Sequence, residues 1–241
     1  GHYEMANAFA KSCFIAVGVT MNSIIDNEES LKSYSGMVFC GGFSYGDVLG
    51  AGSGWANKIL HNSKLFDEFS NYFDNNDKFT LGVCNGCQTL SNLNSIIPGS
   101  DHWPSFLNNQ SERFESRIVM ININKSNSIF TTDMQNSKLP IVISHGEGRA
   151  SLSKEQFKIL SKNDQILMNY IDDSGNSTNE YPFNPNGSFE GIAGVSSVNG
   201  NVTLMMPHPE RYTNICQFPV NSDDNTSPWL KFFYNARMHL K

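Results

Sequence analysis

The sequence has few basic residues and no long apolar run. Of its 241 residues, 17 are Lys or Arg and 23 are Asp or Glu, which gives a formal net charge of -6. A nucleic-acid-binding protein needs a basic face, so we expect no nucleic-acid partner. No stretch of about 18 consecutive apolar residues occurs, so we expect no membrane partner. The first residues also lack the basic and apolar pattern of a signal peptide.

Cysteine is scarce and irregularly spaced. The five cysteines lie at positions 13, 40, 84, 87 and 216. An odd, scattered set does not indicate a disulfide framework, so we expect a reducing, cytoplasmic setting. Cys84 and Cys87 have C-x-x-C spacing, but the sequence contains no second such pair and no H-x3–5-H. We therefore expect no metal site in this chain.

Strand and helix patterns alternate in the first hundred residues. Apolar patterning predicts strands at 14–19, 36–40 and 78–84, and helices at 3–11, from 55, at 65–73 and at 85–93. Such alternation is typical of an α/β fold with a mostly parallel open sheet and helices on both faces.

The pattern changes after Pro98. Further strands are predicted at 117–123, 139–148, 165–172 and 200–210, which makes the second half antiparallel or mixed. The residues 172–188 are nearly all turn formers and predict a long surface loop. A last helix is predicted after Ser227, which serves as its N-cap. We see no repeat and no clear linker, so we expect one domain over 1–241.

The segment LGVCNGCQTL (81–90) carries the strongest chemical signal. Gly82, Cys84 and Gly86 fit the G-x-C-x-G form of a nucleophile elbow between a strand and a helix. The glycines remove Cβ atoms that would crowd the turn, and the helix start favours a thiolate. A redox pair with Cys87 is a competing interpretation. A third interpretation is that both cysteines are buried and unreactive, which is our default for Cys87.

A thiolate nucleophile needs a base, and His208 is the best candidate among six histidines. It follows an apolar strand, and in such sheets function concentrates at strand ends. Glu210 shares its face in extended backbone, so the carboxylate can hold one ring nitrogen. Read alone, the motif favours a capped strand end with a solvated glutamate, but together with the G-x-C-x-G elbow it favours a catalytic pair.

Taken together, these residues resemble the class I glutamine amidotransferases, which pair an elbow cysteine with a downstream His-x-Glu. Longer strings narrow the resemblance to the glutaminase domain of a large single-chain synthase: CGGFSYGDVLGAGSGWA (40–56), IPGSDHWPSF (97–106), SHGEGR (144–149) and MMPHPER (205–211). The resemblance implies a flavodoxin-like core. It also implies that the first strand of that core and the upstream synthetase portion are missing from this chain.

By this resemblance Cys84 is the nucleophile, His208 is the general base and then acid, and Glu210 orients His208. Gly42 and Asn85 supply the backbone N–H groups of an oxyanion hole.

Three further residues match positions that hold the substrate glutamine: Gln88, Ser144 and Gly146. For Tyr45 and Asp47 two roles stay open, which are ordering the glycine-rich loop and touching substrate.

The implied activity is hydrolysis of glutamine through a cysteinyl thioester. Ammonia then passes to the synthetase domain of the same parent chain, which is the expected protein partner. We expect no cofactor here because the chain has no G-x4-G-K-[ST], and ATP and Mg belong to the absent synthetase portion. Two alternatives stay open. One is another Cys-His hydrolase on this scaffold, such as a gamma-glutamyl hydrolase or a peptidase, and the other is a non-catalytic binding module.

Overall fold

A computed structural model describes residues 1–42, 50–217 and 226–240. Tyr45 and Asp47 lie outside the described residues. The described helices are α1 (His2–Lys11), α2 (Met21–Ile25), α3 (Ala51–Leu60), α4 (Ser63–Phe73), α5 (Asn85–Ser91), α6 (Lys154–Lys162) and α7 (Pro228–His239). The described strands are β1 (Gly36–Phe39), β2 (Phe79–Val83), β3 (Ser105–Leu107), β4 (Glu115–Ile123), β5 (Lys138–His145), β6 (Arg149–Ser151), β7 (Ile166–Tyr170), β8 (Ile192–Ser196) and β9 (Val202–Met205).

Seven of these strands form one sheet in the order β1-β2-β9-β8-β7-β4-β5. β1, β2 and β9 are parallel neighbours, and the other four strands pair antiparallel. The short strands β3 and β6 form a separate antiparallel pair. The α/β prediction is therefore confirmed, with a parallel part made of β1, β2 and β9 and an antiparallel part made of β8, β7, β4 and β5.

Helices cover both faces of the sheet, as predicted. Leu81 of β2 packs in the core beneath α1 and α7, whereas Leu204 of β9 packs in the core beneath α3, α4, α5 and α6. These two residues lie on opposite faces because Leu204 pairs with Gly82, the residue after Leu81. The face with Gly82 is the face on which α5 lies, which positions the elbow described below.

The strand predicted at 14–19 is wrong. Residues 14–20 have irregular backbone, and among the described residues they form no ladder with β1, which is the edge strand of the sheet. Phe14 is anchored by ring contacts with Phe9 and Phe79, and Val19 packs against the core on the other face of the sheet. Ile15 is 94% exposed and Val17 is 54% exposed. The apolar letters of this segment therefore do not correspond to a buried strand.

The segment 172–188 is irregular, as predicted, but it is not wholly a surface loop. Asn184, Asn186 and Ser188 are buried. Asn186 Nδ2 donates to the carbonyl of Gly148 at 2.8 Å, so the end of this loop supports the turn after β5. No helix in the described part of the chain is long and apolar enough to cross a membrane.

Candidate active site

Cys84 occupies a strained turn between β2 and α5. Its φ of 55° and ψ of -109° lie in a backbone region that residues other than glycine rarely adopt. A conformation of this kind costs about 1–3 kcal/mol and persists only where the surroundings impose it. Here the Cys84 N–H donates to the Met205 carbonyl at 2.9 Å, and the Gln88 N–H donates to the Cys84 carbonyl at 3.1 Å. The backbone of β9 and the first turn of α5 thus hold the elbow.

Glycine is required on both sides of Cys84. A Cβ on Gly86 would lie 1.9 Å from the Phe39 carbonyl oxygen, and one on Gly82 would lie 2.6 Å from the Gly86 carbonyl oxygen. Both distances are far inside van der Waals contact, so any larger residue would push α5 away from the sheet. The sequence prediction of a crowded turn agrees with this geometry.

His208 and Glu210 form a buried pair after β9. His208 Nδ1 lies 2.6 Å from Glu210 Oε1, and both side chains are inaccessible to solvent. The His208 N–H donates to the Val142 carbonyl of β5 at 2.8 Å. The pair is therefore fixed by backbone contact with a strand at the other end of the sheet.

Opposing effects set the protonation of His208. Burial acts to lower the pKa of this imidazole, but the Glu210 carboxylate and the Cys84 thiol together outweigh burial and raise the pKa to about 9. Nε2 has no hydrogen-bond partner among the described residues. The thiol is nevertheless near enough to contribute to the raised pKa. The ring is thus an imidazolium at neutral pH whose second N–H is available on the side of Cys84.

Gly41 lies between the two side chains. A Cβ at this position would be 2.7 Å from His208 Cε1 and 3.1 Å from Cys84 Cβ. The Cys84 thiol is partly exposed, and it donates to the Ser144 carbonyl oxygen at an S···O distance of 3.6 Å. The ends of β1, β2, β5 and β9 therefore converge on one thiol.

The two residues predicted to form an oxyanion hole are neighbours. Asn85 Nδ2 donates to the Gly42 carbonyl at 2.9 Å, and Gly42 has a φ of 125°, in a region that favours glycine. Their backbones flank Cys84 from the side of β1 and from the start of α5. That the backbone N–H groups of Gly42 and Asn85 bind an oxyanion stays a prediction.

Gln88, Ser144 and Gly146 meet around the end of β5 and the turn 146–148 that follows it. Gln88 Nε2 donates to the Glu147 carbonyl at 2.9 Å, which ties α5 to this turn. The Gly146 carbonyl accepts from the Asn109 N–H at 2.8 Å. The structure brings the three residues together, and their contact with substrate stays a prediction.

Sequence reasoning missed Asn109, which organises the same turn. Its Nδ2 donates to the His145 carbonyl at 2.8 Å, and its Oδ1 accepts from the Gly148 N–H at 3.0 Å. Asn109 belongs to an irregular segment far from this turn in sequence, so no local pattern marks it. Its role follows only from the folded arrangement.

His145 and Glu147 lie inside the string SHGEGR, but no local pattern distinguishes them there. His145 is 3% exposed, and neither ring nitrogen has a hydrogen-bond partner among the described residues. Burial, with a smaller effect from His208, lowers the pKa of His145 to about 3. At neutral pH it is therefore a neutral ring beneath the turn.

Cys87 lies fully buried within α5. Burial is the main reason that its pKa is raised well above the usual range, and the nearby Cys84 adds to this effect. A thiol held in its protonated form is a poor redox partner, so the geometry favours the packing role over the C-x-x-C redox interpretation. Within the ranges that the structure describes, no three His, Cys, Asp or Glu side chains form a group that could hold a metal ion.

Two solved structures share this fold. A structure of PurLQS from Thermotoga maritima matches with a TM-score of 0.70 and 25% sequence identity, covering 99% of this chain and 92% of that one. A putative GMP synthase protein from Thermoplasma acidophilum matches with a TM-score of 0.54 and 12% identity, covering 99% of this chain and 87% of that one. The second match shows the fold alone.

The sequence itself matches a family profile along nearly its whole length. The profile is that of the CobB/CobQ-like glutamine amidotransferase domain, and the match runs over residues 1–240. With the elbow, the buried His-Glu pair and the α/β sheet already described, the conclusion is direct. The chain belongs to the family of CobB/CobQ-like glutamine amidotransferase domains.

Proposed function

We propose that this domain performs the glutaminase half-reaction of phosphoribosylformylglycinamidine synthase. It hydrolyses glutamine and supplies ammonia for the ATP-dependent conversion of formylglycinamide ribonucleotide to formylglycinamidine ribonucleotide in de novo purine biosynthesis. The observation that carries the proposal is a cysteine on a strained turn beside a buried histidine, whose Nδ1 lies 2.6 Å from a carboxylate. The similarity to PurLQS and the strings at 40–56 and 144–149 favour this synthase among the amidotransferases.

The first chemical step forms a thioester. The Cys84 thiolate attacks the side-chain amide carbon of glutamine, and an S–C bond forms as the carbonyl oxygen becomes an oxyanion. The backbone N–H groups of Gly42 and Asn85 stabilise this oxyanion, and each such donor typically lowers the barrier by about 3–4 kcal/mol. The C–N bond then breaks. The imidazolium of His208 gives its proton to the departing nitrogen, which leaves as ammonia.

The second step regenerates the enzyme. His208, now neutral, takes a proton from water while the water oxygen attacks the thioester carbon. The C–S bond breaks, and glutamate leaves. Cys84 recovers its thiolate and His208 keeps the proton. Throughout both steps Glu210 holds Nδ1, so that Nε2 is the nitrogen that exchanges the proton.

The ATP-dependent step takes place in the synthetase domain. Glutamine is the substrate of this chain, and the synthetase domain of the same parent chain is its partner. That domain binds ATP and Mg and consumes the ammonia. The parent enzyme is thus proposed to be a cytoplasmic ligase.

Replacing Cys84 with Ala in the complete synthase tests this proposal. We expect glutamine-dependent synthesis to fall by at least about a thousandfold, because the thioester cannot form. Synthesis from added ammonia should be retained. Cys216→Ala, at an exposed cysteine, is the matched control and should leave both activities unchanged.

Two outcomes would contradict the proposal. Loss of ammonia-dependent synthesis as well would mean that Cys84 is not confined to the glutaminase step. Turnover of peptides or gamma-glutamyl compounds in place of glutamine would point to another Cys-His hydrolase. The alternative of a non-catalytic module is tested separately with the glutamine-analogue electrophile 6-diazo-5-oxo-L-norleucine. A glutaminase should be alkylated at Cys84, whereas a binding module would be left unmodified.

A further inference from the structure

Glu147 is a partly buried carboxylate beside the predicted substrate residue Gln88. Its Oε2 accepts from the Gly50 N–H at 2.8 Å and lies 3.5 Å from Gln88 Nε2. Resting on the function proposed above, we propose that Glu147 determines substrate specificity by binding the α-ammonium group of glutamine. None of the roles assigned to the Cys84, His208 and Glu210 side chains uses this carboxylate.

The charge of Glu147 is not balanced locally. Among residues 1–42, 50–217 and 226–240, it forms no ion pair with Lys, Arg, His or the N-terminus. Its described partners are a backbone N–H and an amide, which are neutral donors. A compact cation with several N–H groups is the ligand that such a carboxylate lacks, and an α-ammonium group is one.

The spacing fits the length of glutamine. Gln88 lies four residues after Cys84, which is about 6 Å along the axis of a helix. In an extended glutamine, four bonds of about 1.5 Å join the amide carbon to the α-nitrogen, which places them roughly 5 Å apart. A substrate with its amide carbon at Cys84 therefore reaches the level of Gln88 and Glu147 with its amino end.

The turn after β5 links the two ends of this site. The Ser144 carbonyl lies 3.6 Å from Cys84 Sγ, and Glu147 is three residues further on in the same turn. The Glu147 carbonyl also accepts from Gln88 Nε2 at 2.9 Å, which fixes the carboxylate-bearing residue against α5. The nucleophile and the proposed ammonium ligand are therefore linked through the end of β5, the turn after it and α5.

A purely structural role is the competing explanation. By accepting from Gly50, which precedes α3, Glu147 also anchors that helix to the turn. Glu147→Gln separates the two roles. Its amide oxygen can still accept from Gly50, whereas its negative charge is lost.

The experiment compares two alkylating reagents on the whole chain. One is 6-diazo-5-oxo-L-norleucine, and the other is 6-diazo-5-oxohexanoate, which lacks only the α-amino group. Intact-protein mass spectrometry gives the second-order rate of Cys84 modification by each. In the wild-type protein the amino reagent should react faster. In Glu147→Gln its rate should fall by about tenfold or more, the size of one charge-assisted hydrogen bond, and the rate of the other reagent should stay within about twofold.

Glu155→Gln is the matched control, because Glu155 is an exposed carboxylate in the first turn of α6. It should change neither rate. Equal loss of both rates in Glu147→Gln would overturn the inference, because a structural residue does not distinguish the reagents. Failure of both reagents to modify the wild-type protein would instead overturn the proposed function, and the inference with it.

A second measurement needs no variant. Glutamine should protect wild-type Cys84 from a small neutral alkylating agent, chloroacetamide, whereas glutaramate, which is glutamine without its α-amino group, should need a concentration at least about tenfold higher. Equal protection by glutamine and glutaramate would overturn the inference even if Glu147→Gln did not fold.

Discussion

At the scale of single residues, the Glu210 carboxylate and the Cys84 thiol together determine whether His208 begins as an acid or a base. Burial disfavours a charged imidazole, and it is the largest single influence on this ring. Glu210, together with the Cys84 thiol, reverses the outcome and brings the pKa to about 9. His208 therefore starts the proposed reaction with a proton to donate, and Cys84 faces a positive charge.

Glu210→Gln should lower the pKa of His208 from about 9, because the Glu210 carboxylate is the largest of the effects that oppose burial. NMR titration of the ring Cε1–H measures this midpoint directly. The rate of Cys84 alkylation at pH 7.5 should fall with it, since the positive charge that faces Cys84 is lost. Glu155→Gln serves again as the control, and a midpoint that stays near 9 in Glu210→Gln would contradict the assignment.

At the scale of elements, the sequence predicted what is encoded in contiguous residues. The unit from β2 through Cys84 to α5 was predicted because the apolar strand, the two glycines and the helix follow one another directly. The helix α7 was predicted for the same reason, since Ser227 and Pro228 mark its start. In both cases the decisive signals lie within about ten residues, which is the range of local propensity and capping.

Other elements were missed for different physical reasons. The helix α6 begins with a capping box between Ser153 and Gln156, a signal that is visible in the sequence but was not used. The strand β8 contains small residues and only five positions, so its pattern is weak. The incorrect strand at 14–19 shows the reverse failure, in which apolar letters exist without a partner strand. Pairing is a tertiary property, and local patterns do not contain it.

Asn109→Ala should loosen the turn after β5. The side chain is buried and satisfies the His145 carbonyl and the Gly148 N–H, and each buried group left without a partner costs about 1–3 kcal/mol. Denaturant unfolding should show a loss of about 2–4 kcal/mol in stability. Cys84 alkylation should slow as well, because the turn directly follows the end of β5, where the Ser144 carbonyl contacts Cys84 Sγ.

The adjacent Asn108→Ala is the matched control, because the side chain of Asn108 is exposed and only its carbonyl is used, by Arg149 Nε. Its stability should change by less than about 0.5 kcal/mol. Equal stabilities of the two variants would show that Asn109 does not organise the turn.

At the scale of the whole molecule, the sheet order assembles the site. Cys84 follows β2, His208 follows β9, and Ser144 belongs to β5 at the far edge of the sheet. His208 and Ser144 nevertheless both lie beside the Cys84 thiol. A hydrogen bond from the His208 N–H to the Val142 carbonyl joins the segment after β9 to β5. The sequence predicted the strand ends, but not that the turn after β5 would reach the elbow, because strand order is not a local property.

The same assembly places two histidines with opposite protonation next to each other. His145 has a pKa lowered to about 3, and His208 has one raised to about 9. The unfolded chain binds a proton on each near pH 6.5. Below pH 6.5 the unfolded state therefore gains a proton at His145 that the folded state refuses. Above pH 6.5 the folded state keeps a proton at His208 that the unfolded state loses.

The unfolding free energy should consequently fall on both sides of pH 6.5, through these two residues. The contribution of His145 is complete above pH 6.5 and is lost as the pH falls toward 3. The contribution of His208 is complete below pH 6.5 and is lost as the pH rises through 9. Each residue changes the free energy by at most about 1.4 kcal/mol per pH unit.

His145→Leu tests the acidic limb, because leucine fills the buried site without a titrating group. Denaturant unfolding at intervals from pH 4 to pH 9 should give this variant an acidic limb that is flatter than wild type by about 1 kcal/mol per pH unit, and an unchanged alkaline limb. His208→Gln should flatten the alkaline limb instead. The comparison of slopes removes any constant cost of repacking, since that cost shifts each curve without tilting it. Parallel curves for wild type and His145→Leu would mean that His145 is protonated in the folded protein, which its burial without any hydrogen-bond partner among the described residues argues against.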